Sequence, residues 1–188
     1  MIKEQKKIIV VDDNNTNLTA CKKVMRPYYE VYPAPSAEKM FDLLEHVMPD
    51  LILLDVDMPD MNGYEAAGRL KKDEAFMGIP IIFLSGRVDP TSEIFGLNMG
   101  ALDYIHKPFV SELLLKRIET HLSLIESQKI LKKQNKSVEE IRTPLNGIID
   151  VLGKAMDTDD PAIMKDCLIQ ANEASKNLLA LVNGAIGK

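Results

Sequence analysis

Over the first 120 residues, short unbroken apolar runs alternate with stretches of helical periodicity. Ile8-Ile-Val-Val11 reads as a strand and ends at Asp12-Asp13. From Asn14 to Met25 the apolar positions Leu18, Cys21 and Met25 fall at helical spacing, and Pro27 closes the helix. Residues 30–32 predict a weak strand, and Ser36 an N-cap for a helix running to about residue 47. Leu51-Ile-Leu-Leu54 predicts a strand buried on both faces. It stops at Asp55, and Pro59 and Asn62-Gly63 mark a turn after it. A helix follows near 64–72, then a buried strand over 80–84 ending at Ser85-Gly86. A helix over roughly 91–99 stops at Gly100, and a fifth strand over 102–105 ends at His106-Lys107-Pro108. Pro108 is placed to open the next helix.

Five β/α repeats with short apolar strands predict an α/β domain, an open parallel sheet with helices on both faces. Chemistry in such sheets gathers beyond the strands' carboxyl ends, where the strand order reverses. Strands one, three, four and five bring Asp12 and Asp13, Asp55, Ser85 and Lys107 to that edge. Singly, these read as helix caps, a turn former and a solvated charge. Together, the three carboxylates repel one another and favour a hard dication with oxygen ligands, Mg²⁺. A hydroxyl and an ammonium beside it complete a cradle for a phosphoryl group, which a carboxylate can attack in line.

Asp12-Asp13, Asp55 with Met58-Pro59 and Gly63, Ser85-Gly86, Tyr104 and Lys107-Pro108 keep an order and spacing that resemble a two-component response-regulator receiver domain over residues 1–120. The resemblance implies a flavodoxin-like sheet of order 2-1-3-4-5 and a phosphoacceptor at Asp55, loaded from a histidine kinase or phosphotransfer protein. It also implies Mg²⁺ held by Asp13, Asp55 and the backbone carbonyl of Asp57, with Asp12 acting mostly through water. Ser85 and Lys107 would hold the phosphoryl oxygens, Tyr104 would be the switch that swings inward, and the Lys107-Pro108 bond would be cis. Asp57 and Arg87 each lie two residues past a site position. They read either as a salt bridge tuning acyl-phosphate lifetime or as two solvated charges. His106 reads as structural or exposed.

Beyond Pro108 the helical pattern runs on. Leu124, Leu131, Val138, Leu145 and Leu152 recur every seventh residue, with Ile141, Ile148 and Ala155 three positions on. This is a coiled-coil seam, diluted by Gln128 and Gln134 within a charged linker at 128–136. Thr158-Asp-Asp-Pro161 predicts a turn. A second helix then carries Met164, Ala171, Leu178 and Ala185 in one row and Cys167, Ala174 and Leu181 in another. Two helices cannot bury both seams alone, so a homodimer closing a four-helix bundle is expected. The domains expected are a receiver at 1–120, a coiled-coil linker at 121–137 and the hairpin at 138–188.

Glu140-Ile-Arg-Thr-Pro-Leu-Asn-Gly-Ile-Ile149 is similar to the dimerisation and histidine-phosphotransfer hairpin of histidine kinases, and Leu178-Leu-Ala-Leu-Val-Asn183 to its second helix. Glu139 stands where that family has its phosphorylatable His, and His121 lies more than two turns upstream. The chain also ends at Lys188 without a Gly-rich ATP-binding domain, so neither autokinase activity nor histidine phosphotransfer is expected. Two roles stay open for the hairpin. One is a dimeric output or docking element controlled by receiver phosphorylation. The other is a phosphatase surface for a partner phospho-receiver, with Glu140 and Thr143 at the family's spacing. A piece of a larger hybrid kinase is a third reading.

Composition narrows the classes. The net charge is −5, with 14 Lys/Arg against 19 Asp/Glu in residues 1–120 and 9 of each in 121–188, so nothing marks a nucleic-acid-binding tail. Cys21 and Cys167 lack metal-ligand spacing and are expected as reduced thiols. Neither a membrane span nor an apolar signal region is evident, and a cytoplasmic protein is expected.

Overall fold

In the computed structural model the described residues are 5–86 and 89–186. Five strands and six helices follow in chain order: β1 (Lys7–Val11), α1 (Asn15–Met25), β2 (Glu30–Ala34), α2 (Ala37–Leu44), β3 (Leu51–Asp55), α3 (Gly63–Lys72), β4 (Ile81–Ser85), α4 (Pro90–Asn98), β5 (Asp103–His106), α5 (Ser111–Met156) and α6 (Pro161–Ile186). All strand pairs are parallel, in the order β2-β1-β3-β4-β5. The chain divides into two compact units, residues 1–124 and 125–188.

Every residue of β3 and β4 is buried, because alternate side chains enter separate cores on the two sheet faces. Ile9, Val11, Ile52, Leu54 and Phe83 meet α2 and α3 through Met40, Leu44, Ala66, Ala67 and Leu70. Ile8, Val10, Leu53, Ile82, Leu84 and Ile105 meet α1 and α5 through Leu18, Cys21, Met25, Leu114 and Ile118. Burial, with Asp12 nearby, pushes the Cys21 thiol up to about 11, so it packs as a small hydrophobe.

Several boundaries differ from the sequence expectation. β2 runs through Pro33 to Ala34, which a strand tolerates here because β2 is the sheet edge. α2 stops at Leu44 rather than near 47. Pro108 does not open a helix: α5 starts at Ser111, with the Leu114 N–H donating to the Val110 carbonyl at 3.0 Å. α5 then continues past Pro144, which lies inside it. Among the described residues no helix is long and apolar enough to cross a membrane.

In the second unit the buried side chains are Ile148, Ala155, Cys167 and Ala171. Leu131, Val138, Leu145 and Leu152, the first heptad row of α5, are 57%, 59%, 43% and 39% exposed. On α5 the second row is therefore the buried one, through Ile148 and Ala155, while the first faces outward; on α6 each row contributes one buried residue, Ala171 and Cys167. Of the predicted α6 rows, the side chain of Ala185 lies outside the described residues.

Candidate functional site

Strand register levels the site. Val11 pairs with Leu54, so Asp12 follows at the height of Asp55. Asp55 pairs with Leu84, one residue before Ser85, and Ser85 pairs with His106, one residue before Lys107. The ladder carries on past the strands, with the Asp12 N–H donating to the Ala34 carbonyl (3.1 Å), Val56 to Leu84 (2.9 Å) and Lys107 to Ser85 (2.7 Å). Four chain segments thus end within one side-chain length of each other.

Carboxylate oxygens of Asp12, Asp13 and Asp55 lie within 4.8 Å of one another. Lys107 Nζ reaches Asp12 Oδ2 at 2.6 Å and Asp55 Oδ2 at 2.8 Å, and both acids are buried. Asp13 is exposed at the rim, which suits a ligand that meets a hydrated ion. Burial raises the Asp55 carboxyl above the ordinary range, against the pull of the Lys107 hydrogen bond and charge; the Asp12 charge adds to the rise. Burial also works against the Lys107 ammonium, but hydrogen bonds to Asp12 and Asp55 outweigh it and its pKa is raised. Lys107 is therefore a fixed cation between two carboxylates. Hard oxygen donors at this spacing, with a surplus of negative charge, fit Mg²⁺.

Ser85 is buried, and its hydroxyl donates to Asp57 Oδ2 at 3.4 Å. The Asp57 N–H points back to Asp55 Oδ1 at 3.4 Å. Arg87, the expected partner of Asp57, lies outside the described residues. The Lys107-Pro108 bond is cis, as expected. Tyr104 is turned inward and is 2% exposed, with its ring 6.3 Å from that of Phe83. His106 is half-buried, its Nε2 3.3 Å from Glu93 Oε2 on α4 and its ring edge-on to Tyr104. His121 lies 3.2 Å from Asp103, away from the acidic cluster.

Sequence reasoning passed over several neighbours. Asn17 Nδ2 donates to both oxygens of Asp12 at 3.1 Å. The Tyr64 hydroxyl donates to the Ser92 carbonyl at 3.0 Å and lies 3.4 Å from the Tyr104 hydroxyl. A β-carbon on Gly96 would sit 3.0 Å from the Phe83 ring and 3.2 Å from the Tyr104 ring, so α4 rests closely on the buried tyrosine. Gly63 was legible as a turn residue, but its reason is tertiary: a β-carbon there would overlap the Asp55 carbonyl oxygen. The capping box of Asn62 with Glu65 fixes the start of α3 against that carbonyl. Only an Asn on the first turn of α1 and aromatic residues near strand ends hinted at these contacts.

On α5 Glu139 pairs with Arg142 at 3.2 Å, both solvent-exposed, and Glu140 and Thr143 are exposed as well. The second unit thus brings no side chain cluster comparable to that at the sheet edge among its described residues.

Residues 8–119 match the family described as response regulator receiver domain. A probable cyclic di-GMP phosphodiesterase of Vibrio cholerae is 33% identical over 162 residues, covering 82% of this chain, a span longer than the family match itself. The chain spans 37% of that protein's length. Protein PilH of Pseudomonas aeruginosa is 31% identical over 118 residues, which is 62% of this chain and 98% of PilH. A CheY-like receiver domain structure from Methanospirillum hungatei superposes with a TM-score of 0.62 at 31% identity, covering 66% of this chain and 99% of that one. Receiver domains bind Mg²⁺ at an acidic cluster of this kind, and they interact with histidine kinases or phosphotransfer proteins. With the sheet order, the acidic cluster and the lysine between its carboxylates in place, the chain belongs to the response regulator receiver domain family.

Proposed function

We propose that the protein is a two-component response regulator phosphorylated on Asp55, whose receiver controls a dimeric, phosphotransfer-like helical hairpin that binds a signalling partner. The observation that carries the first half is the Asp12–Asp13–Asp55 cluster with Lys107 Nζ 2.8 Å from Asp55 Oδ2. Asp55 is the phosphoacceptor. Its carboxylate oxygen bonds to the phosphorus of a kinase phosphohistidine as the phosphorus–nitrogen bond breaks and the imidazole leaves with the electron pair. Asp13, Asp55 and the Asp57 backbone carbonyl would hold Mg²⁺, with Asp12 acting through water, and the ion would supply charge neutralisation there. Lys107 shifts its bond from Asp55 to a phosphoryl oxygen. Ser85 turns its hydroxyl from Asp57 to another. Burial already disfavours the Asp55 carboxylate, and conversion to an acyl phosphate takes the charge off its buried oxygens and places it on the phosphoryl group.

Tyr104, the proposed switch, is already turned inward, and its packing on Gly96 and Phe83 ties that ring to α4. Asp57 and Arg87, two positions past Asp55 and Ser85 in sequence, are the residues we read as tuning acyl-phosphate lifetime. For the hairpin, the exposed row Leu131, Val138, Leu145 and Leu152 supports self-association into a four-helix bundle, because a second copy supplies the same seam. Glu139 at the position of the phosphorylatable His, paired with Arg142, supports a docking role in place of phosphotransfer.

A second reading has its own observation. Glu140 and Thr143 are both exposed one turn apart on α5, where they are open to a partner phospho-receiver and could orient water on its acyl phosphate. Incubating such a phosphorylated receiver with wild type and with Thr143→Ala separates the two. A rate of phosphate loss unchanged by either protein leaves the docking role.

The primary test treats the protein with a small acyl-phosphate donor and Mg²⁺ and reads intact mass together with oligomeric state. Wild type gains one phosphoryl mass and Asp55→Asn none. Equal gain by both, or none by wild type with several donors, overturns the assignment.

A further inference from the structure

Asp12 is the most heavily bonded carboxylate at the sheet edge, and one of its partners, Asn17, takes no part in the phosphoryl transfer. Its Oδ1 accepts from the Asn14 N–H at 2.9 Å and from Asn17 Nδ2 at 3.1 Å. Its Oδ2 accepts from Asn17 Nδ2 at 3.1 Å and from Lys107 Nζ at 2.6 Å. These contacts use the roughly four lone-pair sites that a carboxylate offers. Asp13 is exposed, and Asp55 Oδ1 accepts only a long bond, 3.4 Å from the Asp57 N–H, among the described residues. The lone pairs left for a cation belong to Asp13 and Asp55.

We infer that Asn17 is a positioning residue that keeps Asp12 in the outer sphere of the cation site, so that Asp13 and Asp55 are its direct carboxylate ligands. This rests on reading the cluster as a divalent-cation site. Asn17 lies on the first turn of α1, whose start is fixed by the Asn14 side chain accepting from the Thr16 N–H. From there its amide straddles both Asp12 oxygens, a hold a single-point donor could not impose. Two direct carboxylates balance a dication and leave room for water and phosphoryl oxygens. A third would bind the ion more tightly and compete with Lys107 for the same oxygen, because affinity at hard-cation sites rises with ligand charge. On this account Asn17 limits cation affinity.

Loss of Asn17 should therefore tighten cation binding and not weaken it. Asn17→Leu is close to isosteric and removes both bonds, leaving two sites on Asp12 open toward the cluster. Binding of Mn²⁺, followed through loss of the free-ion electron paramagnetic resonance signal with no phosphodonor present, is expected to tighten about three- to tenfold. The same variant should melt at lower temperature in the absence of ions. Asp50→Ala is the stability control, since it removes bonds to the Lys7 N–H (2.9 Å) and Lys6 Nζ (3.0 Å) at the opposite, amino-terminal edge of the sheet. It lowers the melting temperature without moving Mn²⁺ affinity. Asn17→Thr, which keeps one hydroxyl donor, is expected to tighten binding by less and carries the test where the Leu variant does not fold. Unchanged or weaker binding by the folded Asn17 variants, with wild type binding Mn²⁺ and Asp13→Asn losing it, overturns the role of Asn17 and leaves the cation site standing. Failure of wild type to bind Mn²⁺ overturns the site and this inference together.

Discussion

The two units treat their apolar residues in opposite ways. In the receiver unit, the side chains of β3 and β4 are buried on both faces, and each sheet face has its own core. In the second unit Ile148, Ala155, Cys167 and Ala171 are buried among the described residues, and the row from Leu131 to Leu152 is open to solvent. Burying a Leu or Val side chain stabilises by about 1.5–3 kcal/mol, so a solvent-facing row of four is a large unspent driving force. The receiver's sequence is complete as a folding instruction. The hairpin instead leaves a row of apolar side chains uncovered.

Core truncation should break this comparison most visibly. Leu54→Ala removes a fully buried side chain of β3 and is expected to cost about 2–5 kcal/mol in chemical denaturation. Gly63→Ala, although the smallest possible addition, should cost about 1–3 kcal/mol or more, because its β-carbon meets backbone at Asp55 that cannot rotate away. It should also slow phosphorylation, since the strained carbonyl belongs to Asp55, the proposed phosphoacceptor. A Gly63→Ala protein of wild-type stability would mean that the loop after β3 is free to shift.

On the hairpin the same kind of change should act on association and leave the fold intact. Replacing Leu131, Val138, Leu145 and Leu152 together by Gln is expected to leave receiver melting within about 0.5 kcal/mol per site, the usual range for exposed positions. Sedimentation should then show the dimer dissociating at concentrations where wild type stays associated. If wild type is already monomeric at high micromolar concentration, the outward row serves a different partner.

A smaller effect lies inside the receiver. The Asp55 carboxyl is raised by burial against the opposing pull of Lys107. A carboxyl whose folded pKa exceeds its unfolded value binds protons more tightly when folded, so stability falls as pH rises from about 3.9 through the folded value. That penalty grows as pH rises above the unfolded value. Asp55→Asn should therefore melt higher than wild type at pH 7 without divalent ions, on the order of 1 kcal/mol or a few degrees. The gain should vanish below about pH 3.9. Adding Mg²⁺ should close the gap by stabilising wild type alone, and a gap that Mg²⁺ leaves untouched would detach Asp55 from the cation.

What could be read from residues alone follows the same division. Apolar runs stopped by Asp12, Asp55, Ser85 and Lys107 announce both the strands and the site, because in a parallel sheet the end of a buried run is also the reactive edge. Contacts made across the fold left no such mark. Asn17 looks like any polar residue on a first helical turn, and its double bond to Asp12 exists only because β1 feeds directly into α1. Tyr64 and Gly96 matter through the Tyr104 ring, which none of them neighbours in sequence. β2 was under-read because Pro33 argues against a strand everywhere except at a sheet edge. In the hairpin, periodicity showed which positions are apolar but not which of the two rows the chain would bury itself.

The smallest predicted effect concerns the join between β5 and α5 within the receiver unit. Burial works against the charge of Asp103, but Arg117 at 2.9 Å, the Tyr104 N–H at 2.8 Å and His121 at 3.2 Å outweigh it and hold the carboxyl below its ordinary range. A carboxyl depressed in the folded state contributes stability that is complete above its unfolded value, about 3.9, and is lost as pH falls through the folded pKa. Arg117 is 40% exposed, so solvent screening holds the contribution to about 1 kcal/mol or less. The stability difference between wild type and Asp103→Asn should thus be flat from about pH 5 upward and should shrink on acidification below about 4. Arg117→Gln should remove most of the same acid dependence, because the guanidinium is the strongest of the groups lowering the Asp103 pKa. An Asp103→Asn difference that persists unchanged at low pH would mean that the carboxyl is held by its hydrogen-bond geometry and not by charge, and β5 would then be anchored by an uncharged network.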